Sequence, residues 1–329
     1  MERNALVIMK SFLLHPVVSV ILKTIIAIGL IAALLHYIDI RAILISLSNA
    51  NYMYIIAGSV FMFANIALQY YRWKFLVRLV SKDIPTKEIF ASLLIGYSAG
   101  FFTPGQIGEF GGRVISLNSI RKAHILAMSM IDKLYILALT IIFGCISFII
   151  FFHTHLSDLW RTQYTFLSIF LASATAFVFL FPSQTKKLLL FLPEKIRSHR
   201  IYVLIEVIEK EFHNREGRIL FLLTVLLFCI IIIQYHLFLN AFEPVGFGVS
   251  SIGTLIILFV KSVVLPISIG DLGVRESTAV FFFSQYGVSP AAAFNMSLFI
   301  FFTNIFLPSL AGALYILRLK FSSNKNSTT

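Results

Sequence analysis

Pro104-Gly105-Gln106-Ile107-Gly108-Glu109-Phe110-Gly111-Gly112-Arg113 has an ungapped counterpart downstream, Pro266-Ile267-Ser268-Ile269-Gly270-Asp271-Leu272-Gly273-Val274-Arg275. Both read Pro-x-x-x-Gly-acid-apolar-Gly-x-Arg, an agreement in Pro, two Gly, an acid and an Arg that chance does not supply in a Phe/Leu/Ile-rich chain. The motifs stand about half a chain length apart, and resemblance fades beyond them to a weak echo between Ala127-Met128-Ser129-Met130 and Asn295-Met296-Ser297-Leu298. Each motif follows a short apolar segment, 89–102 or 252–265. Stretches this short are under-length for a crossing and suit re-entrant segments. Pro and Gly at the tip free backbone groups that must face protein or a water-filled cavity. Two hairpins that dip into a membrane and return are therefore expected.

Outward from the motifs, the 329 residues are 58% hydrophobic and 13% charged, with a mean hydropathy of +0.90. Soluble domains are about a quarter charged. Runs at 18–37, 53–71, 124–152, 164–181, 219–241 and 290–317 reach the ~20 residues that span hydrocarbon as helix. Pro16 ahead of a full-length run, with no small-residue cleavage site after it, argues against a cleaved leader. The net charge of +12 follows topology rather than nucleic acid. Arg3 and Lys10, then Arg72 to Lys87, Lys186 to Arg215 and Arg318 to Lys325 fall on one side. The stretches 38–51 and 242–251 carry only Arg41. The positive-inside rule then puts both termini in the cytoplasm, in a bacterial inner membrane.

The expected fold is an all-α polytopic membrane protein of two inverted repeats, about six full transmembrane helices plus two re-entrant helical hairpins. Its halves are 1–163 (two spans, hairpin, span) and 164–329 (span, cytoplasmic amphipathic segment, span, hairpin, span). The amphipathic segment is 186–212, where Ile201, Leu204, Ile205, Ile208 and Phe212 recur at helical spacing. Three crossings per half invert the second half, so the hairpin tips meet near the midplane, as in transporters built from broken helices.

Buried ionisable groups in a membrane are paired or functional. Glu109 and Arg113 are four apart, as are Asp271 and Arg275, so each pair can share a helical face and neutralise itself. Alternatively Arg113 and Arg275 take an anionic headgroup, since guanidinium matches phosphate oxygens. Glu109 and Asp271 then hold the arginines, bind an amine or carry a proton. Asp132 and Lys133 are placed to pair with hairpin charges or reach the interface. Lys261 is a further candidate phosphate contact, and Glu276 a local cap or partner. Pro104, Gly105, Gly108, Gly111, Pro266, Gly270 and Gly273 are the expected hairpin breaks. His153 and His155 lack a third ligand and make a poor metal site. Cys145 and Cys229 lie in apolar runs without disulfide or metal spacing. No Ser-His-Asp, Cys-His or His-Glu-x-x-His arrangement is present, so neither catalysis nor a cofactor is expected.

Tyr70-Tyr71-Arg72-Trp73-Lys74-Phe75-Leu76, Gly96 through Arg113, Asp132-Lys133 and Leu265 through Glu276 together resemble the lysylphosphatidylglycerol synthase transmembrane (flippase-like) family, over roughly 13–317. Pro104, Gly105, Gly108, Arg113, Asp132, Pro266, Gly270, Gly273, Arg275 and Glu276 match its pattern. Glu109-Phe110 stand where members often have Gly-Asp, Lys133 where they have Arg, and Asp271 where they have Gly. The resemblance implies a protein that moves anionic phospholipid or a polyprenyl-phosphate-linked lipid across the bilayer. The soluble aminoacyl-transferase domain of the full-length synthases has no counterpart in the sequence, so lysyl transfer is not expected. A small soluble anion is the alternative cargo. A further alternative is a non-transporting partner that presents lipid to a lipid-modifying enzyme.

Overall fold

A computed structural model describes residues 16–103, 106–117, 119–155, 158–180, 214–263 and 272–326, and every regular element among them is helical. In chain order these are α1 (Pro16–Ile38), α2 (Ile40–Ser48), α3 (Tyr52–Val80), α4 (Thr86–Phe101), α5 (Gly108–Ser116) and α6 (Lys122–His155). There follow α7 (Asp158–Leu180), α8 (Asn214–Phe242), α9 (Phe247–Val263), α10 (Val274–Ser284), α11 (Pro290–Phe301), a π-helical turn (Phe302–Phe306) and α12 (Leu307–Asn326). The amphipathic segment 186–212 lies outside the described residues, as do Pro104, Gly105, Pro266, Gly270 and Asp271.

Among the described residues, four helical stretches, Tyr52–Val80, Lys122–Thr154, Arg215–Phe242 and Pro290–Leu317, are long and apolar enough to cross a membrane. The pair Ile28–Ile38 and Ile40–Ser48, bent by 77°, makes a fifth if it counts as one span. The apolar run 164–181 largely coincides with α7. Helix α2 lies in the stretch 38–51, read from the sequence only as poor in Lys and Arg. Asp39, at φ +63°, breaks α1, and its carboxylate accepts from Arg41 N–H to cap α2. A capped start followed by Ile40, Ile43, Leu44 and Leu47 is a helix signature in hindsight.

Among the described residues, the two larger of three apolar clusters carry most of the packing. One gathers Trp73, Leu76, Ile89, Leu93, Leu117 and Met128 from α3, α4, α6 and the turn after α5. The other joins Phe238, Phe282, Phe283, Ala292 and Met296 with Ile38, Ile43 and Phe151 from earlier helices. Packing is exchanged between the ends of the chain: α4 packs on α12, while α9 packs on α6. Both contacts are close because glycine sits in them. A Cβ on Gly312 would overlap the Leu94 carbonyl, and one on Gly144 would overlap Phe259. Small residues that let helices approach are the usual device where lipid removes the hydrophobic drive for association.

Candidate functional site

Helices α4 and α5 form a tight pair around the first motif. Gly108 and Gly112 face α4, where an added Cβ would overlap the Ala99 carbonyl oxygen or sit 2.8 Å from that of Ile95. The break between them is closed by Thr103. Its hydroxyl donates to Ala99 O at 3.1 Å and accepts from Gly108 N–H at 2.7 Å. Gln106 adopts φ +56° in this turn. Gly111 is no break: it lies inside α5, and a Cβ added there would meet nothing within 4 Å. Gly273, at φ +91°, does break the chain and starts α10.

The close α4–α5 approach carries the first motif's charges into a buried network. Arg113 pairs with Glu109 at 2.5 Å, one helical turn away, and with Asp132 Oδ2 of α6 at 3.2 Å. Asp132 also pairs with Arg72 of α3 at 2.8 Å, and Arg72 donates to the Asp132 carbonyl at 3.2 Å. Lys133 reaches Glu109 Oε2 at 2.5 Å with its side chain 32% exposed, whereas the other four members are buried. The Arg113 guanidinium lies over the Trp73 ring, 4.2 Å from its centroid, and Trp73 Nε1 donates to Ser92. Burying so many charges is tolerable only when each is paired.

The second motif is wired differently. Arg275 pairs with its neighbour Glu276 at 2.6 Å and donates to Ser297 Oγ at 3.1 Å. It lies 5.3 Å from the Phe301 ring centroid. Glu276 also accepts from Gly273 N–H at 2.7 Å, so one carboxylate both caps α10 and holds the guanidinium.

Between these two groups is a cavity of about 480 Å³, lined from both halves of the chain. Among the described residues, Glu109, Lys133, Lys261 and Arg275 are its charged lining residues. Arg113 and Asp132 stand behind that wall, and so does Glu276. The volume falls within the range of small-ligand sites, ~300–1,000 Å³. Uncharged polar residues complete the lining: Asn65, Gln69, Tyr97 and Asn304 among them. The sequence reading missed Arg72, counted there with the cytoplasmic cations, and missed these amides altogether. Asn65 and Asn304 interrupt runs that hydropathy alone marks as spans. Among the described residues no three His, Cys, Asp or Glu side chains are placed to hold a metal ion.

The family model of the lysylphosphatidylglycerol synthase TM region matches residues 20–312. The chain belongs to that family. Family membership and the long apolar helices together make it an integral membrane protein with a lipid-related role. No curated protein matches the chain. In this member of the lysylphosphatidylglycerol synthase TM family, the matched region takes in every residue of the charge network and the whole cavity lining.

Proposed function

We propose that the protein is a flippase-like transporter that moves an anionic lipid, a phospholipid or a polyprenyl-phosphate-linked lipid, through a central anion site without a chemical step. The observation that carries this is the cavity's charge. Among the described residues, Lys133, Lys261 and Arg275 line it together with one carboxylate, that of Glu109, in a region built from apolar helices. Charge at membrane depth costs at least ~2.5–3.5 kcal/mol per group, and a cavity wall richer in cations than in acids is what an anionic ligand repays. A phosphate is the natural complement for guanidinium and ammonium together. Lys133 then exchanges Glu109 for the phosphate on arrival, while Arg113 keeps Glu109 positioned and Asp132 holds Arg113.

The topology proposed with it is two inverted repeats with six crossings, both termini cytoplasmic, and α4–α5 and α9–α10 as re-entrant hairpins. The exchanged packing supports it: each pair sits against the last span of the opposite half. That is the arrangement expected of two halves related by a pseudo-two-fold axis.

The test is mass spectrometry of lipids retained by the purified protein and by an Arg275→Ala/Lys261→Ala variant. A fluorescent-lipid translocation assay in liposomes accompanies it. Enrichment of one anionic class and its translocation, both lost in the variant, is the expected result. Retained lipid that matches the bulk membrane in both samples, with no translocation, removes the lipid reading. If inorganic phosphate or a sugar phosphate then protects the protein thermally, a soluble anion takes its place.

A further inference from the structure

When a phosphate takes Lys133 from Glu109, the carboxylate left behind has little else to turn to. Both Glu109 oxygens are committed: Oε1 accepts from Arg113 at 2.5 Å, and Oε2 pairs with Lys133 at 2.5 Å. The side chain is only 4% exposed, so water is a poor stand-in for a lost cation. Its stem lies against α4, where a Cβ added at Gly96 or Gly100 would come within 3.2 or 3.3 Å of it. The carboxylate therefore stays at the cavity wall when Lys133 lets go.

The charged and titratable groups around it are engaged. Arg113, on α5, divides its guanidinium between Glu109 and Asp132. Arg72, on α3, is held by the carboxylate and the carbonyl of Asp132 on α6. Tyr97, on α4, gives its hydroxyl proton to Gln69 at 2.7 Å. Lys261 of α9 and Arg275 of α10 line the same cavity, and Arg275 pairs with Glu276. A phosphate seated on Lys133 thus stands beside a carboxylate, and two anions in one site disfavour each other's charged form. A phosphodiester is by far the stronger acid of the two, so the proton that relieves the repulsion goes to the carboxylate.

Resting on the anion site proposed above, we infer that Glu109 takes up one proton as the phosphate binds, so that lipid and proton travel together. The proton comes from solvent. An Oε2–H bond forms and donates to a phosphate oxygen, and it breaks when the lipid leaves and Lys133 returns. Nothing is oxidised, and Arg113 keeps Oε1 throughout. A phosphodiester anion and a proton together carry no net charge. A pH difference, rather than a voltage, then draws the cargo toward the alkaline side.

Isothermal titration of the purified full-length chain in two buffers of different ionisation heat counts the protons. The probes are short-chain phosphatidylmethanol, a lipid phosphodiester with neither amine nor hydroxyl, and soluble dimethyl phosphate. Neither titrates near neutral pH. The wild type should take up about one proton per phosphatidylmethanol bound. Its Kd should weaken about tenfold per pH unit wherever the empty carboxylate is ionised and the occupied one is not. Glu109→Gln, already neutral, should bind with no uptake and a flat pH profile. If that variant fails to fold, infrared difference spectra of the wild type should show a protonated-carboxyl band on binding. Isotope-labelled glutamate should shift that band, and a band that stays put overturns the assignment to Glu109. Binding by the wild type without proton uptake overturns the coupling and leaves the anion site standing. Uptake that persists in Glu109→Gln puts the proton elsewhere and overturns the assignment. Dimethyl phosphate that binds as tightly, with the same uptake, keeps the coupling and makes the source soluble. No binding of either probe overturns the anion site and this inference together.

Discussion

The two motifs share one ten-residue pattern, with five positions identical, yet hold their arginines by different means. Arg113 is locked from three helices: Glu109 on its own, Asp132 on α6 and Trp73 on α3, with Arg72 sharing Asp132. Arg275 has an adjacent acid, a serine hydroxyl and an aromatic ring beside it. One arginine stands behind the cavity wall and the other lines it. A guanidinium clamped between two carboxylates on different helices is a scaffold. The other, equally buried, takes the acid next to it and contributes to the cavity lining. Repetition of a motif thus fixes where a charge sits, and the neighbours decide what it does.

That contrast can be broken by mutation. The largest effect is expected at Asp132→Ala, which takes the acid partner from buried Arg72 and leaves Arg113 with Glu109 alone, and should cost at least ~3–5 kcal/mol. Thermal unfolding in detergent should show it losing more than Glu276→Ala, which removes the adjacent acid from one guanidinium, that of Arg275. Equal losses would mean the two arginines are held alike. Next comes Gly108→Ala, where overlap with the Ala99 carbonyl must push α5 from α4 at a cost of about 1–3 kcal/mol. Its signature is loss of both stability and lipid retention. A smaller loss, about 1–2 kcal/mol, is expected for Trp73→Leu, which removes a ring from Arg113 and a donor from Ser92. Unfolding midpoints unchanged from wild type would remove Trp73 from the network. The smallest effect belongs to Gly111→Ala, within about 0.5 kcal/mol, because its added methyl meets open space.

The helices were legible because apolar run length is a direct measure of what can cross hydrocarbon. The Glu109–Arg113 pair was legible too, since residues four apart share a helical face. Arg275 and Glu276 were harder: adjacent positions on a helix do not face each other. In the first turn of α10, however, Glu276 bends back to Gly273 N–H, and that brings its carboxylate under the guanidinium. Arg72 was hidden by the charge bias itself, which counts every cation at a span end as surface. Asn65, Gln234 and Asn304 were hidden because one amide scarcely alters the hydropathy of a long run. Gln234 and Asn304 are oriented only once the Gly58 carbonyl is in place to accept from Gln234.

Trp73 has a consequence of another kind. Indole emission responds to a cation held against the ring, and Arg113 is held there at 4.2 Å. The chain has only two tryptophans, Trp73 and Trp160. A Trp160→Phe protein therefore carries a single native indole, held against the charge network. On the transport reading proposed above, cargo that reaches Lys133 and frees Glu109 would change its colour or brightness, an optical signal with no added label.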